Sequence, residues 1–330
     1  MSQQQPHDSL FLDVLGQPEH AGGALRAVMP AVVAEALDWP TLAPCPGTFV
    51  DEVLRKRYTD VLFSVAWRGG SEALVYVLYE HQSTSDRWMA LRLLRYLLRI
   101  WERWLADHPK AERLPVIVPV VLYHGEKPWS APVAFDALLD IPEAARSAVA
   151  PYLLQFNYLV DDLSQVPDER LRARRMTDVA KLAFACFKHA RMQDDFLEIL
   201  SEWRAVLIAV VRNPHARQAL ERVIYYILMV NRRVEPDELQ AFLDRVAGPE
   251  AKDVVMTAGE RLIQQGEQRG IQKGVQQGER TALLRLLKKR FGNQVDADIE
   301  ERVEAASSEQ VAAWLDRVLS ATTLAEVLGH

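Results

Sequence analysis

The sequence predicts a mixed α/β body followed by an all-α region, and three observations carry that reading. Two β-rich runs, 59–67 (TDVLFSVAW) and 73–82 (ALVYVLYEHQ), flank a Gly69-Gly70 pair, the pattern of a hairpin. Residues 114–123 (LPVIVPVVLY) are apolar without alternation, as in a strand covered on both faces. Beyond about Pro167 strand signals nearly vanish and helical periodicity takes over.

Taken in order, residues 9–15 start a helix with Asp8 as its N-cap. Residues 40–48 (PTLAPCPGT) read as a proline-rich loop before the hairpin. From Asp86 to Asp107 the period is helical, and His108-Pro109 ends that helix. The buried strand is turned by His124-Gly125. Helices follow over 171–191, 196–211, 216–230 and 237–246, punctuated by Asn213-Pro214, Glu235-Pro236 and Gly248-Pro249. Gly266, Gly270, Gly274 and Gly278 then recur every fourth residue, on one helical stripe. Each costs about 1 kcal/mol against Ala in a helix, so the stripe reads either as a marginal connector or as a close helix–helix contact. The last fifty residues finish as short helices over 282–290, 298–306 and 309–319. The expected division is therefore a body at 6–213, a helical connector at 214–280 and a small helical module at 281–330.

Composition narrows the function. With 330 residues, 49% hydrophobic and 25% charged, the chain suits about two packed domains and is not disordered throughout. A formal charge of −6 excludes a uniformly basic nucleic-acid binder, so any phosphate contact needs a local basic face. Cys45 and Cys186 stand alone, which excludes a zinc finger and a disulfide scaffold and fits a reducing compartment. The polar start MSQQQPHDSL does not read as a signal peptide. The apolar runs at 114–123 and 205–211 fall short of the roughly 20 residues of a membrane span. A cytoplasmic protein with no membrane contact is expected.

The chemistry centres on two acids. Asp60 opens the first hairpin strand, Glu80 lies near the end of the second, and their midpoint is residue 70, inside the turn. A turn centred there makes them cross-strand partners, with Cβ atoms roughly 4.5–5.5 Å apart. Two like charges so placed are destabilising unless neutralised, and a divalent cation held by hard carboxylate oxygens would do it. The plainer reading is a pair of solvated acids near strand ends. Gln82 shares a face with Glu80, and His81 takes the other. The next helix adds Arg92, Arg95, Arg99 and Arg103 as one stripe beside Leu91, Leu94, Leu98 and Trp101. Residues 55–113 hold eleven Lys or Arg against seven Asp or Glu, a local net of +4. That stripe is either solvated or a phosphate-contacting face. His124, as a lone histidine, and Tyr96, as a core tyrosine, have structural readings beside any role at the site.

Several segments resemble one family. PHDSLF at 6–11, DVLFSV at 60–65, LYEHQSTSD at 78–86, the Met89, Arg92, Leu94, Tyr96 pattern and LPVIVPVVLYHG at 114–125 are similar to the Rpn recombination-promoting nucleases, also grouped as YhgA-like transposases. The resemblance runs from about Pro6 past Val211, and the glycine repeat and helical tail also look like those of many members. It implies a PD-(D/E)XK nuclease fold, a mixed sheet flanked by helices, with Asp60 and Glu80 matching its two acids. Gln82 stands where that superfamily has lysine, as it does in this family. Lysine can polarise the attacking water or steady the transition state, whereas Gln can only orient water or offer a carbonyl oxygen. A second metal or a cation such as Arg92 would then supply the missing charge. His7 and Asp8 match the family's N-terminal motif and could reach the site.

The expected function is a Mg²⁺-dependent DNA endonuclease, with Mn²⁺ able to substitute, of low sequence preference and linked to recombination or mobile elements. Asp60 and Glu80 hold the metal, Gln82 positions the water, and Arg92, Arg95 and Arg99 meet DNA phosphates. His7, Asp8, Tyr96 and His124 are accessory candidates, and the C-terminal helices are expected to bring two copies together. The rival is a non-catalytic DNA-binding or scaffold protein that kept the fold, an idea that Gln82 keeps open. No third acid spaced like a DDE triad supports strand transfer, and no P-loop, G-x-S-x-G, G-x-G-x-x-G or H-E-x-x-H occurs.

Overall fold

A computed structural model describes residues 6–45, 60–69, 74–191, 195–248 and 274–329, with the backbone alone at 60 and 74–80. The chain divides into two compact units, Met1–Gly259 and Glu260–His330.

The first unit is built on one five-stranded mixed sheet. Its strands are β1 (Leu37–Pro44), β2 (Asp60–Trp67), β3 (Leu74–Gln82), β4 (Val116–Tyr123) and β5 (Leu159–Asp162), in spatial order β1-β2-β3-β4-β5. The first three are antiparallel and the last three parallel. The hairpin β2–β3 has the expected centre, with Asp60 opposite Glu80 and Ala66 opposite Leu74. Gly69 enters its turn at φ +96°, where a side chain would be strained. The helix Met89–Asp107 makes the crossover from β3 to its parallel neighbour β4, as parallel pairing requires.

Of the proline-rich stretch expected as a loop over 40–48, residues 46–48 lie outside the described residues, and the part to Pro44 belongs to the edge strand β1. Its register slips between Asp38 and Ala43, and Pro40 and Pro44 are tolerated because only one side of this strand is paired. The first helix also differs from expectation. It starts at Pro6, so Asp8 sits inside its first turn rather than capping it, and it runs on as a π-helical turn Phe11–Leu15.

Strand alternation sends side chains to two cores. Phe63, Val65, Val120 and Leu122 meet Phe11, Val14 and Leu15 and the helix Asp178–His189 on one face. Leu62, Ile117 and Val121 meet Met89, Leu93, Tyr96, Leu97 and Ile100 on the other. The arginine-bearing helix therefore buries a stripe one step round from Leu91, Leu94 and Leu98, and Leu98 is exposed. Arg217–Val230 and Pro236–Ala247, expected as the beginning of a connector, bury Leu220, Ile224, Ile227, Leu239 and Phe242 in the first core. Their apolar faces are too wide for an exposed linker.

The second unit is a helical module of residues 274–291, Ala297–Ala305, Ser308–Val318 and Leu324–Leu328 around Leu283, Leu287, Val303, Trp314 and Val327. Ser307 and Gln310 form a reciprocal cap at the start of Ser308–Val318. Arg280, Arg290 and Arg302 spend their charge on the orphan carbonyls of Ala306, Ala321 and Leu328. Gly266 and Gly270 lie outside the described residues, and a Cβ at Gly274 or Gly278 would meet open space. Among the described residues no helix is long and apolar enough to cross a membrane.

Candidate active site

The motifs converge on one end of the sheet, where the parallel strands β3 and β4 finish and β2 begins. Asp60 and Glu80 are direct register partners, and Glu80 pairs onward with Val121 and Gln82 with Tyr123. Positions 60, 80 and 82 thus alternate in phase with Leu62 and Val121, on the face that the Met89–Asp107 helix covers. A hard divalent cation takes one or two carboxylates and fills its remaining positions with water or phosphate, and two acids opposite each other at a sheet end could supply those carboxylates. Among the described residues no three His, Cys, Asp or Glu side chains group as metal ligands.

The loop after Gln82 is pinned at two points. Ser85 Oγ accepts hydrogen bonds from the backbone N–H groups of Ser130 (3.2 Å) and Ala131 (3.1 Å). Asp86 accepts from the Trp88 N–H at 2.8 Å in the turn just before the helix, and its other oxygen lies 3.2 Å from Arg92 Nη1. Arg92 is half-buried in this pair, in the first turn of the helix, whereas Arg95 and Arg99 are exposed. Arg103 is paired with Asp107 of its own helix at 3.2 Å. Tyr96 belongs to the buried stripe of that helix. Along the expected arginine stripe, Arg92 thus pairs with Asp86 and Arg103 with Asp107, while Arg95 and Arg99 are exposed.

His7, Asp8, His81 and His124 come together on the opposite face. His81 and His124 stack with ring centroids 4.6 Å apart, and His7 lies 5.0 Å from His124. His7 Nδ1 is 2.8 Å from the Tyr226 hydroxyl, and Asp8 Oδ1 is 3.7 Å from His81 Nδ1. Phe11 and Phe187 close over the rings. Burial, reinforced by the charges of His81 and Arg191, brings His7 down to about 4. Burial also lowers His81, against the pull of Asp8. It lowers His124 far below the usual range, aided by the other two histidines and Arg191. With their pKa values lowered, these imidazoles dock the N-terminal helix onto β3 and β4.

Gly125 completes the turn after β4 because no side chain fits there. A Cβ would fall 2.8 Å from the Ser83 carbonyl oxygen and into the Tyr123 hydroxyl. A cavity of about 240 Å³ opens beside it, lined by Ser83, Thr84, Ser85, His124, Lys127 and Arg191.

Asp86, Tyr226 and Asp168 escaped sequence reasoning. Asp86 reads in the sequence only as the first residue of the helical stretch, without its pairing to Arg92. Tyr226 lies 219 positions from its partner His7, and no local pattern reports such a contact. Asp168 accepts from Lys188 (2.6 Å), His189 (2.9 Å) and Trp203 (3.0 Å). Burial pushes its carboxyl up, but these three donors together outweigh that and hold it well below the usual range.

An α/β sheet with an acid pair at its end, flanked by an arginine-bearing helix, defines the class. The particular family is also clear: the chain belongs to the one described as "Putative transposase, YhgA-like", which matches residues 5–218. It is 32% identical to recombination-promoting nuclease RpnA of Escherichia coli strain K12 over 266 residues, 80% of this chain and 85% of that protein. It is 30% identical to RpnD of Escherichia coli O157:H7 over 262 residues, 78% of this chain and 94% of that protein. RpnE of strain K12, named an inactive nuclease-like protein, is 28% identical over 305 residues, 89% of this chain and 96% of that protein. No solved structure matches the chain. The expected Rpn resemblance is borne out.

Proposed function

We propose that this chain is a metal-dependent endodeoxyribonuclease of low sequence preference that acts in DNA recombination or on mobile elements, on a PD-(D/E)XK-type sheet. The observation that carries the reading is the direct register pairing of Asp60 with Glu80 at the sheet end, in a chain whose relatives are named nucleases. Asp60 and Glu80 would hold Mg²⁺, or Mn²⁺ in its place, and that ion would supply a nucleophilic water at neutral pH and neutralise charge on the phosphate. Gln82, two positions on, orients water through its amide. Arg92 offers the fixed positive charge that a lysine at position 82 would have provided, and the Asp86 carboxylate holds it in place. Arg95 and Arg99 face outward and meet the phosphate backbone, where contacts position DNA without reading sequence.

A scaffold that keeps the fold without cleavage is the second reading. Gln82 and the relative named inactive favour it. A plasmid-nicking assay in Mg²⁺, Mn²⁺ or EDTA separates the two. The nuclease reading expects metal-dependent nicking by the parent and none by Asp60→Ala, whose thermal midpoint in EDTA stays level or rises as cross-strand repulsion is relieved. No metal-dependent nicking by the parent would leave the scaffold reading in its place, and nicking by Asp60→Ala at the parent's rate would take the cleavage away from this acid pair.

A further inference from the structure

We infer that Trp88 is a stacking platform for an unpaired nucleobase, so that the strand to be cut enters single-stranded or frayed. This rests on the nuclease reading and adds a substrate class to it. Trp88 is 54% exposed although its indole is a large aromatic surface that burial would normally favour. It immediately precedes the helix Met89–Asp107, and its spacing of four, seven and eleven residues to Arg92, Arg95 and Arg99 places it at the head of their stripe. The indole is not on a loose tip. Asp86 accepts the Trp88 N–H, and Ser85 ties the same loop to Ser130 and Ala131. The Arg87 guanidinium sits 6.0 Å from the ring centroid, which keeps a cation where a phosphate flanking the stacked base would pass.

An exposed aromatic in line with outward-facing arginines is the pairing that holds single strands: cations follow the backbone while each base offers a π-face. Intact duplex hides its bases and would touch only the arginines. Stacking tolerates any base, in keeping with low sequence preference.

The test measures binding of the full chain to a fluorescent 20-nucleotide single strand and to its duplex, in EDTA so that nothing is cut. The parent should prefer the single strand. Trp88→Ala should lose roughly 5- to 100-fold for the single strand, with duplex affinity within about two-fold, while Trp88→Phe keeps most of the preference. An unchanged thermal midpoint for each variant shows that the fold is intact. Equal losses on both DNAs, no loss on either, or no parent preference would overturn the inference. Parent nicking of plasmid, scored separately, shows whether the nuclease reading survives such a result.

Discussion

The two faces of the sheet use the same strand ends in opposite ways. On the face covered by the N-terminal helix, His7, His81 and His124 are buried, neutral and enclosed by Phe11, Phe187 and Tyr226. On the face covered by the Met89–Asp107 helix, positions 60, 80 and 82 share the register, and half-buried Arg92 of that helix pairs with Asp86. Glu80, His81 and Gln82 are consecutive, yet the period of two divides them, the histidine to the packed face and the acid and amide to the face of the proposed site. A conspicuous three-residue motif is thus two half-motifs, and the two halves should fail differently when altered.

The largest effect is expected on the histidine face. Asp161 of β5, paired with Leu122, is only 3% exposed and is held by both guanidinium nitrogens of Arg174 at 2.6 and 2.8 Å. Arg174→Ala leaves a buried carboxylate without its cation and should cost about 3–5 kcal/mol in urea unfolding. A loss under 1 kcal/mol would mean that water reaches Asp161 and the face is not dry.

Next comes pH. His7 sits at about 4 when folded against 6.5 in the open chain, so as pH falls the unfolded state takes its proton first. Stability is therefore complete above pH 6.5 and falls between 6.5 and 4, by about 2 kcal/mol at pH 5 from His7 alone. His81 and His124 are lowered too and add the same sign. Denaturant melts of the parent and His7→Gln from pH 7.5 to 5 should show a shallower dependence in the variant. Parallel curves would remove His7 from the account.

The smallest stability effect belongs to the arginine face. Changing Arg95 and Arg99 to Gln should move stability by less than about 0.5 kcal/mol, since both are exposed. The same change should lower the salt slope of DNA binding by roughly one for each lost phosphate contact, equally for unrelated sequences. An unchanged slope would take this face off the backbone.

How much was legible follows the range of each interaction. The hairpin register could be read because Gly69-Gly70 fixes the centre and alternation fixes the faces, so Asp60 and Glu80 followed from spacing alone. The edge strand β1 was hidden because Pro40 and Pro44 carry a loop signal, and only its position at the sheet edge makes them acceptable. The strand β5 is four residues long and too short to show a period. The histidine cluster joins residues 7, 81, 124 and 226, so each histidine looked solitary. Asp8 followed the N-cap rule locally and was overridden by a helix that starts earlier.

The measurement closest to the central claim sets Glu80→Ala beside His81→Ala, scoring Mg²⁺-dependent plasmid nicking and thermal midpoint in EDTA for each. The division of faces predicts that Glu80→Ala nicks nothing and melts at or above the parent's midpoint. His81→Ala should melt several degrees lower, for a loss of about 1–3 kcal/mol, and still nick below that midpoint. A His81→Ala protein that melts like the parent but cannot nick, or a Glu80→Ala protein that nicks but melts early, would contradict it.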